Sequence, residues 1–290
     1  MRKKSRKSRS GTGGATRGRP ATASGERPYP RPRRRFGQHF LEPAWVEKLI
    51  HAIDPSSEET FLEIGPGRGA LTRALAPHVR RIVSVEIDRD LAAALPARVP
   101  RNVHVVAGDF LHIDLAELLR DERQPLRVVG NLPYNVSSPI LFRLLGAADE
   151  GKRFLDATVM LQKEVAERLM ATPGSAGYGT LALQVGLVAD VEPLLALPPG
   201  AFRPPPKVTS ALVRIQFRAA SADVDRATFE RIVRGVFVHR RKTLLNALRP
   251  LSASLGRSAE ELIERAGLDP SQRPQTLTVG DVVRLSRAVL

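Results

Sequence analysis

Residues 60–79 read TFLEIGPGRGALTRALAPHV. A short, mostly apolar run ends in Gly65, and glycines recur at 67 and 69 before a helical pattern sets in. An apolar run of that length reads as a buried strand, and the periodic segment after it as a helix. Glycine permits a tight turn and a close backbone approach to a ligand, and helix N-terminal amides favour an anion. The spacing is GxGxG, not the GxGxxG of dinucleotide binders. Alone, such a turn is as readily structural as ligand-binding.

The alternation continues on both sides. RIVSVEID (81–88), NVHVVAGD (102–109), LRVVGN (126–131) and DATVMLQ (156–162) read as further strands, each followed by a helical or turn segment. Their apolar character throughout suits parallel strands covered on both faces. The expected fold class is α/β, a doubly wound, Rossmann-like sheet with ligands at the strands' C-terminal ends. LALQVGLVADVEPLLAL (181–197) and ALVRIQF (211–217) are expected to pair as antiparallel strands at the sheet edge. Beyond residue 220, the segments 225–248, 258–268 and 278–290 read as amphipathic helices. The expected organisation is a basic tail over 1–35, a catalytic domain over 36–219 and a small helical C-terminal domain over 220–290.

Composition narrows the chemistry. The 290 residues include no cysteine, which removes disulfides, thiolate metal sites and cysteine nucleophiles. Six scattered histidines give no reason to expect a metal. No apolar run is long enough to span a membrane, and no secretory signal is visible. The net charge of +15 is uneven: residues 1–35 hold 13 Lys and Arg against one acid, a balance of +12. The remaining 255 residues hold 32 against 29, a balance of +3. The tail, rich in Gly, Ser and Pro, is expected to be disordered and suits non-specific contact with phosphates. The alternative is a solubilising tail with no specific role.

Four consecutive strand ends present polar groups in a telling order. After the glycines come Glu86, Asp109 and Asn131. An acid about 20 residues past the glycines can accept ribose hydroxyls. A carboxylate at 109 can accept from an exocyclic adenine amine. An anionic end, a ribose and an adenine together fit S-adenosylmethionine. At the fourth end stands GNLPYNVSSP (130–139). An adenine amine is a poor nucleophile because its lone pair is delocalised. The Asn131 side-chain oxygen and the Leu132 carbonyl can hold both N–H groups and aim the lone pair at a sulfonium methyl. Pro133 fixes the turn without a competing N–H. Tyr134 offers a ring on which a flipped base can stack.

GQHFL, EIGPGRG, VEID, GDFL, NLPYNVSSP, AFRPPPKV and HRRKTLLNAL together resemble the small-subunit (16S) ribosomal RNA adenine N6-dimethyltransferases, over about residues 36–290. That resemblance implies dimethylation of two adjacent adenines in the 3′-terminal hairpin of small-subunit rRNA, within an immature 30S particle. It implies that His39 and Leu41 close over the cofactor, with Gly65, Gly67, Glu86, Asp109 and Asn131 binding or positioning it. Tyr134 and Phe202 would sandwich the target base. The family's loop usually reads GQNFL, so His39 is a departure. A cytoplasmic monomer is expected.

His239, Arg240, Arg241 and Lys242 are expected at a helix start, where cations oppose the macrodipole. Phosphate binding explains them better than stability does. Arg231 and Arg234 extend that patch, and Arg203 and Lys207 flank the expected base pocket. Two rival readings share much of the pattern. One is the large-subunit (23S) rRNA adenine methyltransferase of macrolide resistance; HRRKTLLNAL and RPQTLTVGDVVRL favour the small-subunit enzyme over it. The other is a non-catalytic assembly factor, whose mark would be erosion at Glu86, Asp109, Asn131 or Tyr134; none is eroded.

Overall fold

A computed structural model of the chain describes residues 38–149, 153–218 and 224–289. The basic tail expected over 1–35 lies outside the described residues. The strands are β1 (Phe40–Leu41), β2 (Thr60–Ile64), β3 (Arg81–Glu86), β4 (Val103–Ala107), β5 (Leu126–Asn131), β6 (Phe154–Gln162), β7 (Ala189–Leu197), β8 (Phe202–Arg203) and β9 (Ser210–Phe217).

Seven of them form one sheet in the order β4-β3-β2-β5-β6-β9-β7. The first five are mutually parallel. β9 runs antiparallel to β6, and β7 antiparallel to β9. This is the α/β, Rossmann-like sheet that the alternation of apolar runs and helices predicts, with its antiparallel edge. From β2 the chain winds one way to β3 and β4, then crosses to β5 and β6. The crevice outside the C-terminal ends of β2 and β5 is therefore the switch point where such sheets take ligands.

The elements follow from local chemistry. The helix Pro43–Ile53 places proline in its first turn and buries Val46, Leu49 and Ile53, one face of a 3.6-residue repeat. It stops at Asp54, whose φ of 52° cannot continue a right-handed helix. Leu49 and Ile53 join Phe61, Leu75 and Ile82 in one of two clusters flanking the sheet. Each such fully buried side chain contributes about 1.5–3 kcal/mol.

Two expectations are corrected. The segment 181–197 is not one strand: Thr180–Val188 is helical, and β7 begins only at Ala189. The helix has Val185 and Val188 in the cluster beneath the sheet, and Ala182 and Leu183 in a separate cluster with the C-terminal helices. A helix buried on opposite sides is apolar all round and shows no helical period. Gly186 makes the approach possible, since an added Cβ would lie 2.9 Å from the Val279 side chain.

The segment 225–248 is likewise not continuous. The helix Arg226–Val238 ends at His239, and a second helix, Leu244–Leu248, begins after Thr243. His239, Arg240, Arg241 and Lys242 therefore follow the C-terminus of one helix as closely as they precede the next. Cations there are favoured by the first helix's dipole, so the macrodipole gives no argument against a stability role. Helices within 226–289 share that separate apolar cluster through Phe229, Val233, Leu262 and Leu285. Among the described residues no helix is long and apolar enough to cross a membrane.

Candidate active site

A cavity of about 400 Å³ opens at the switch point. Its wall includes His39, Leu41, Gly65, Gly67, Glu86, Asn131, Leu132, Pro133, Tyr134 and Arg203 from the sequence reading. Residues 38–43, the ends of β2, β3 and β5, and the last residue of β8 thus meet in space.

The glycine turn is built as the spacing requires. Gly65, Gly67 and Gly69 all have positive φ, at 68°, 59° and 72°. At Gly67 an added Cβ would also stand 3.1 Å from the Phe40 ring. Phe40 covers the turn, with the Arg68 guanidinium 4.3 Å from its ring centre. One neighbour on each side fastens this strap. Gln38 Nε2 donates to Asp88 Oδ2 at 3.0 Å, and β1 pairs with β8, Phe40 opposite Arg203 and Leu41 opposite Phe202.

Glu86 ends β3 almost fully buried. Its Oε2 accepts from Gly67 N and its Oε1 from Asp88 N, both at 2.9 Å. Burial pushes its carboxyl above the usual range, and those two N–H groups pull it back. A carboxylate offers about four acceptor sites, so Glu86 keeps capacity for a ligand hydroxyl. Beside it Glu63 is buried, with the Ser84 hydroxyl donating to Oε2 at 2.9 Å. Burial pushes the Glu63 carboxyl up to about 7.

Asn131 ends β5 on the opposite wall. Its Nδ2 donates to the His39 carbonyl at 2.7 Å. A carbonyl only accepts, so the amide orientation is fixed and Oδ1 remains as the acceptor. Tyr134 stacks on the His39 imidazole, ring centres 5.5 Å apart and 24° from parallel. Its hydroxyl lies 2.5 Å from Ser210 Oγ. Burial raises the phenol's pKa, and the Ser210 bond lowers it.

Several expected residues are not brought here. Phe202 is completely buried among Leu49, Phe61 and Leu212. Alternation along β8 turns Phe202 inward and Arg203 outward, so the expected sandwich with Tyr134 is not formed. Asp109 stands two residues past β4 and outside the cavity wall. Its Oδ1 accepts from Leu111 N, and its Oδ2 meets His112 Nδ1, both at 2.9 Å. Arg203 reaches the wall, with Nε 3.0 Å from Glu42 Oε1. Lys207 is exposed and does not line the cavity. His239, Arg240, Arg241 and Lys242 line a separate cleft with Phe237 and Val238. Arg231 and Arg234 bond within their own surroundings, to Ser254 O and Glu230. Glu63, Ile87 and Ser210 also stand at or beside the site, and no motif singles them out. Glu63 had a signal, an acid inside an apolar strand; Ile87 directly follows Glu86 and is exposed at the cavity. Among the described residues no group of three or more His, Asp or Glu could hold a metal ion.

The sequence pattern of the ribosomal RNA adenine dimethylases matches residues 30–289. The ribosomal RNA small subunit methyltransferase A of Psychrobacter cryohalolentis is 44% identical over 262 residues, covering 88% of this chain and 90% of that one. The protein of the same name from Nitrosococcus oceani is 44% identical, covering 89% and 96%. A dimethyladenosine transferase from Plasmodium falciparum superposes with a TM-score of 0.72 at 25% identity, over 85% of this chain and 96% of that one. The 23S rRNA methyltransferase ErmE shares the fold, with a TM-score of 0.59 at 24% identity over 86% and 99%. The methyl donor in this family is S-adenosylmethionine, and the residues present fit it. The glycine turn leaves no room for side chains at Gly67, Glu86 offers acceptors for hydroxyls, and Ile87 offers an apolar surface. A glycine cradle under Phe40, a buried acid ending β3 and an oriented amide ending β5 agree with the sequence match along its length: the chain belongs to the ribosomal RNA adenine dimethylase family.

Proposed function

We propose that this protein dimethylates N6 of two adjacent adenines in the 3′-terminal hairpin of small-subunit rRNA, within an immature 30S particle. The observation that carries the reading is the Asn131 amide, turned by the His39 carbonyl so that Oδ1 is left to accept. S-adenosylmethionine, when bound, supplies the methyl group. The protein's part is positioning, which is worth several orders of magnitude in rate without a general base. Asn131 Oδ1 and the Leu132 carbonyl accept the two N–H bonds of the target amine and hold its lone pair out of the ring's conjugation. Pro133 keeps the turn rigid, and Tyr134 stacks the flipped base. Each transfer leaves the nitrogen positively charged and acidic, and it sheds one proton to water; a single N–H then remains after the first, and one of the two acceptors suffices to hold it for the second. Glu86 takes the ribose, Ile87 the adenine of the cofactor, and Gly65 and Gly67 let the backbone approach its carboxylate. His39 and Leu41 close the pocket, and Asp109 borders its adenine end.

The rRNA is held by Arg203 and Lys207 beside the pocket and by His239–Lys242 on the separate cleft. In this reading residues 36–219 form the catalytic domain and 220–290 the RNA-recognition domain. The enzyme acts as a cytoplasmic monomer, and the tail over 1–35 adds non-specific phosphate contact. Removing residues 1–34 is then expected to flatten the salt dependence of subunit binding, because fewer counterions are released. Equal salt slopes would remove the tail from the reading. The deciding experiment incubates labelled S-adenosylmethionine with unmethylated small subunits and locates dimethyladenosine by mass spectrometry. Label in large-subunit rRNA, or only monomethyladenosine at saturation, would overturn the assignment.

A further inference from the structure

We infer that Ser210 is a positioning residue for methyl transfer: together with His39 it clamps the Tyr134 ring in the orientation that receives the target base. The inference rests on the reading that the base stacks on Tyr134, and deepens it.

Tyr134 is half-buried at the cavity rim and belongs to none of the apolar clusters. Core packing therefore does not fix its ring. The χ1 rotamer sets where the ring axis points and the broad χ2 torsion sets the ring's tilt about that axis; the hydroxyl lies on the axis, so an anchor there fixes the first and a stacked neighbour the second. Two contacts remove that freedom. The phenol oxygen sits 2.5 Å from the hydroxyl of Ser210, which is fully buried at the first position of β9. Ser210 is itself held between strands, opposite Gln162 of β6 and Leu197 of β7. A phenylalanine at 134 would supply the same stacking surface. The hydroxyl adds only an anchor, and each hydroxyl would leave the other without this partner if removed.

The second contact is the His39 imidazole against the ring face. It too is tethered. Nδ1 lies 2.7 Å from the Pro204 carbonyl, which can only accept, so Nδ1 carries a proton. The His39 carbonyl accepts from Asn131. One residue thus ties the base platform, the amine acceptor and the proline-rich segment after β8 together. The imidazole occupies one face of Tyr134, which leaves the other face for the base. Segments 76 and 165 residues apart in sequence are joined at this point.

The test measures kcat, KM for unmethylated small subunits, S-adenosylmethionine affinity by calorimetry, and thermal unfolding, for Ser210→Ala, Ser210→Thr, Tyr134→Phe, the Ser210→Ala/Tyr134→Phe double variant, His39→Ala and Tyr134→Ala. A displaced ring is expected to lower kcat about tenfold in Ser210→Ala and in Tyr134→Phe, since small misplacements cost up to about 10²-fold. The double variant should be no worse than either single one, and Ser210→Thr, which keeps the hydroxyl, should recover most of the rate. Cofactor affinity should stay within about twofold of wild type. Multiplying effects in the double variant, an unchanged kcat in Ser210→Ala, or no recovery with Ser210→Thr would overturn the clamp. If Ser210→Ala does not fold, Tyr134→Phe tests the same bond from the rim. His39→Ala should likewise lower kcat; a loss confined to cofactor affinity would remove His39 from the clamp. Full turnover in Tyr134→Ala would strike the base-stacking reading itself. Loss there with none in Ser210→Ala or Tyr134→Phe would strike only the clamp.

Discussion

The N-terminal ends of β5 and β6 hold Arg127 and Asp156, and the C-terminal ends of β2 and β3 hold Glu63 and Glu86; all four side chains are buried. Their partners differ. Arg127 Nε reaches both Asp156 oxygens at 3.0 and 3.1 Å. Its other nitrogens donate to Ile53 O at 2.8 Å, Asp54 O at 3.0 Å and Glu59 Oε2 at 3.1 Å. Arg214 Nη2 adds a bond to Ala52 O at 2.7 Å. Charge is matched with charge there, and the end of the helix Pro43–Ile53 is tied down with it. At the other end the acids receive neutral donors, among them the Ser84 hydroxyl on Glu63 and the backbone N–H groups of Gly67 and Asp88 on Glu86. Arg73 acts on Glu63 from farther off, a smaller influence than burial. One end of the sheet is therefore electrostatically complete and structural. The other keeps unspent acceptor capacity, the condition for binding a ligand that carries hydroxyls and positive charge.

Breaking the paired end should have the largest effect. Arg127→Ala leaves Asp156 buried without its main partner, and losses of that kind run to about 3–5 kcal/mol. Denaturant unfolding should show it, while the rate per folded molecule changes little. A loss under about 1 kcal/mol would mean that the cluster is not what secures this end.

Asn131→Ala should do the reverse. We expect kcat to fall by about 10²–10³-fold, as when one preorganised group at a reacting centre is removed, with the melting temperature within a few degrees of wild type. Turnover within about threefold of wild type would contradict the role given to Oδ1.

Glu63 permits a pH test. Its folded pKa of about 7 lies above the ordinary carboxylate value of 4.5. Its contribution to stability is therefore complete below the unfolded pKa and is lost as pH rises through about 7. Glu63→Gln removes this titration. At pH 8 the variant should be the more stable by up to about 3 kcal/mol, and the gap should close toward pH 4.5. Parallel stability curves for the two proteins across that range would show that Glu63 does not titrate in the window.

The smallest expected effect is on binding. Glu86→Ala removes an acceptor for ligand hydroxyls, for about 1–3 kcal/mol in S-adenosylmethionine affinity, while the loss of the acceptor of Gly67 N and Asp88 N falls on stability. Calorimetry would detect it, and unchanged affinity would rule out the ribose assignment.

Much of the fold was legible because its signals are local. Apolar runs of five or six residues, glycines after Ile64 and periodic helices each lie within one short window. The helix Thr180–Val188 was not legible, since burial on two sides erases the helical period. The break at His239–Thr243 was hidden because both flanking helices are amphipathic, so the pattern runs on through it.

The site divides in the same way. Gly65, Gly67, Glu86 and Asn131 were found from sequence because a doubly wound sheet brings its strand ends to one edge, so position along the chain determines position at the site. The tertiary structure decided what those residues touch. Phe202 went into the core because pairing of β8 with β1 set which face it presents, and register between segments so distant in sequence has no local trace. His39, Tyr134 and Ser210 come together across separations of 76 to 171 residues, and Arg127 meets Asp156 across 29. Sequence by itself determined the sheet and the groups at its edge, because backbone periodicity and glycine's freedom act over a few residues. Only the folded chain decided which acids are neutralised and which ring is held, because hydrogen bonds and ion pairs depend on distances that long-range packing alone sets.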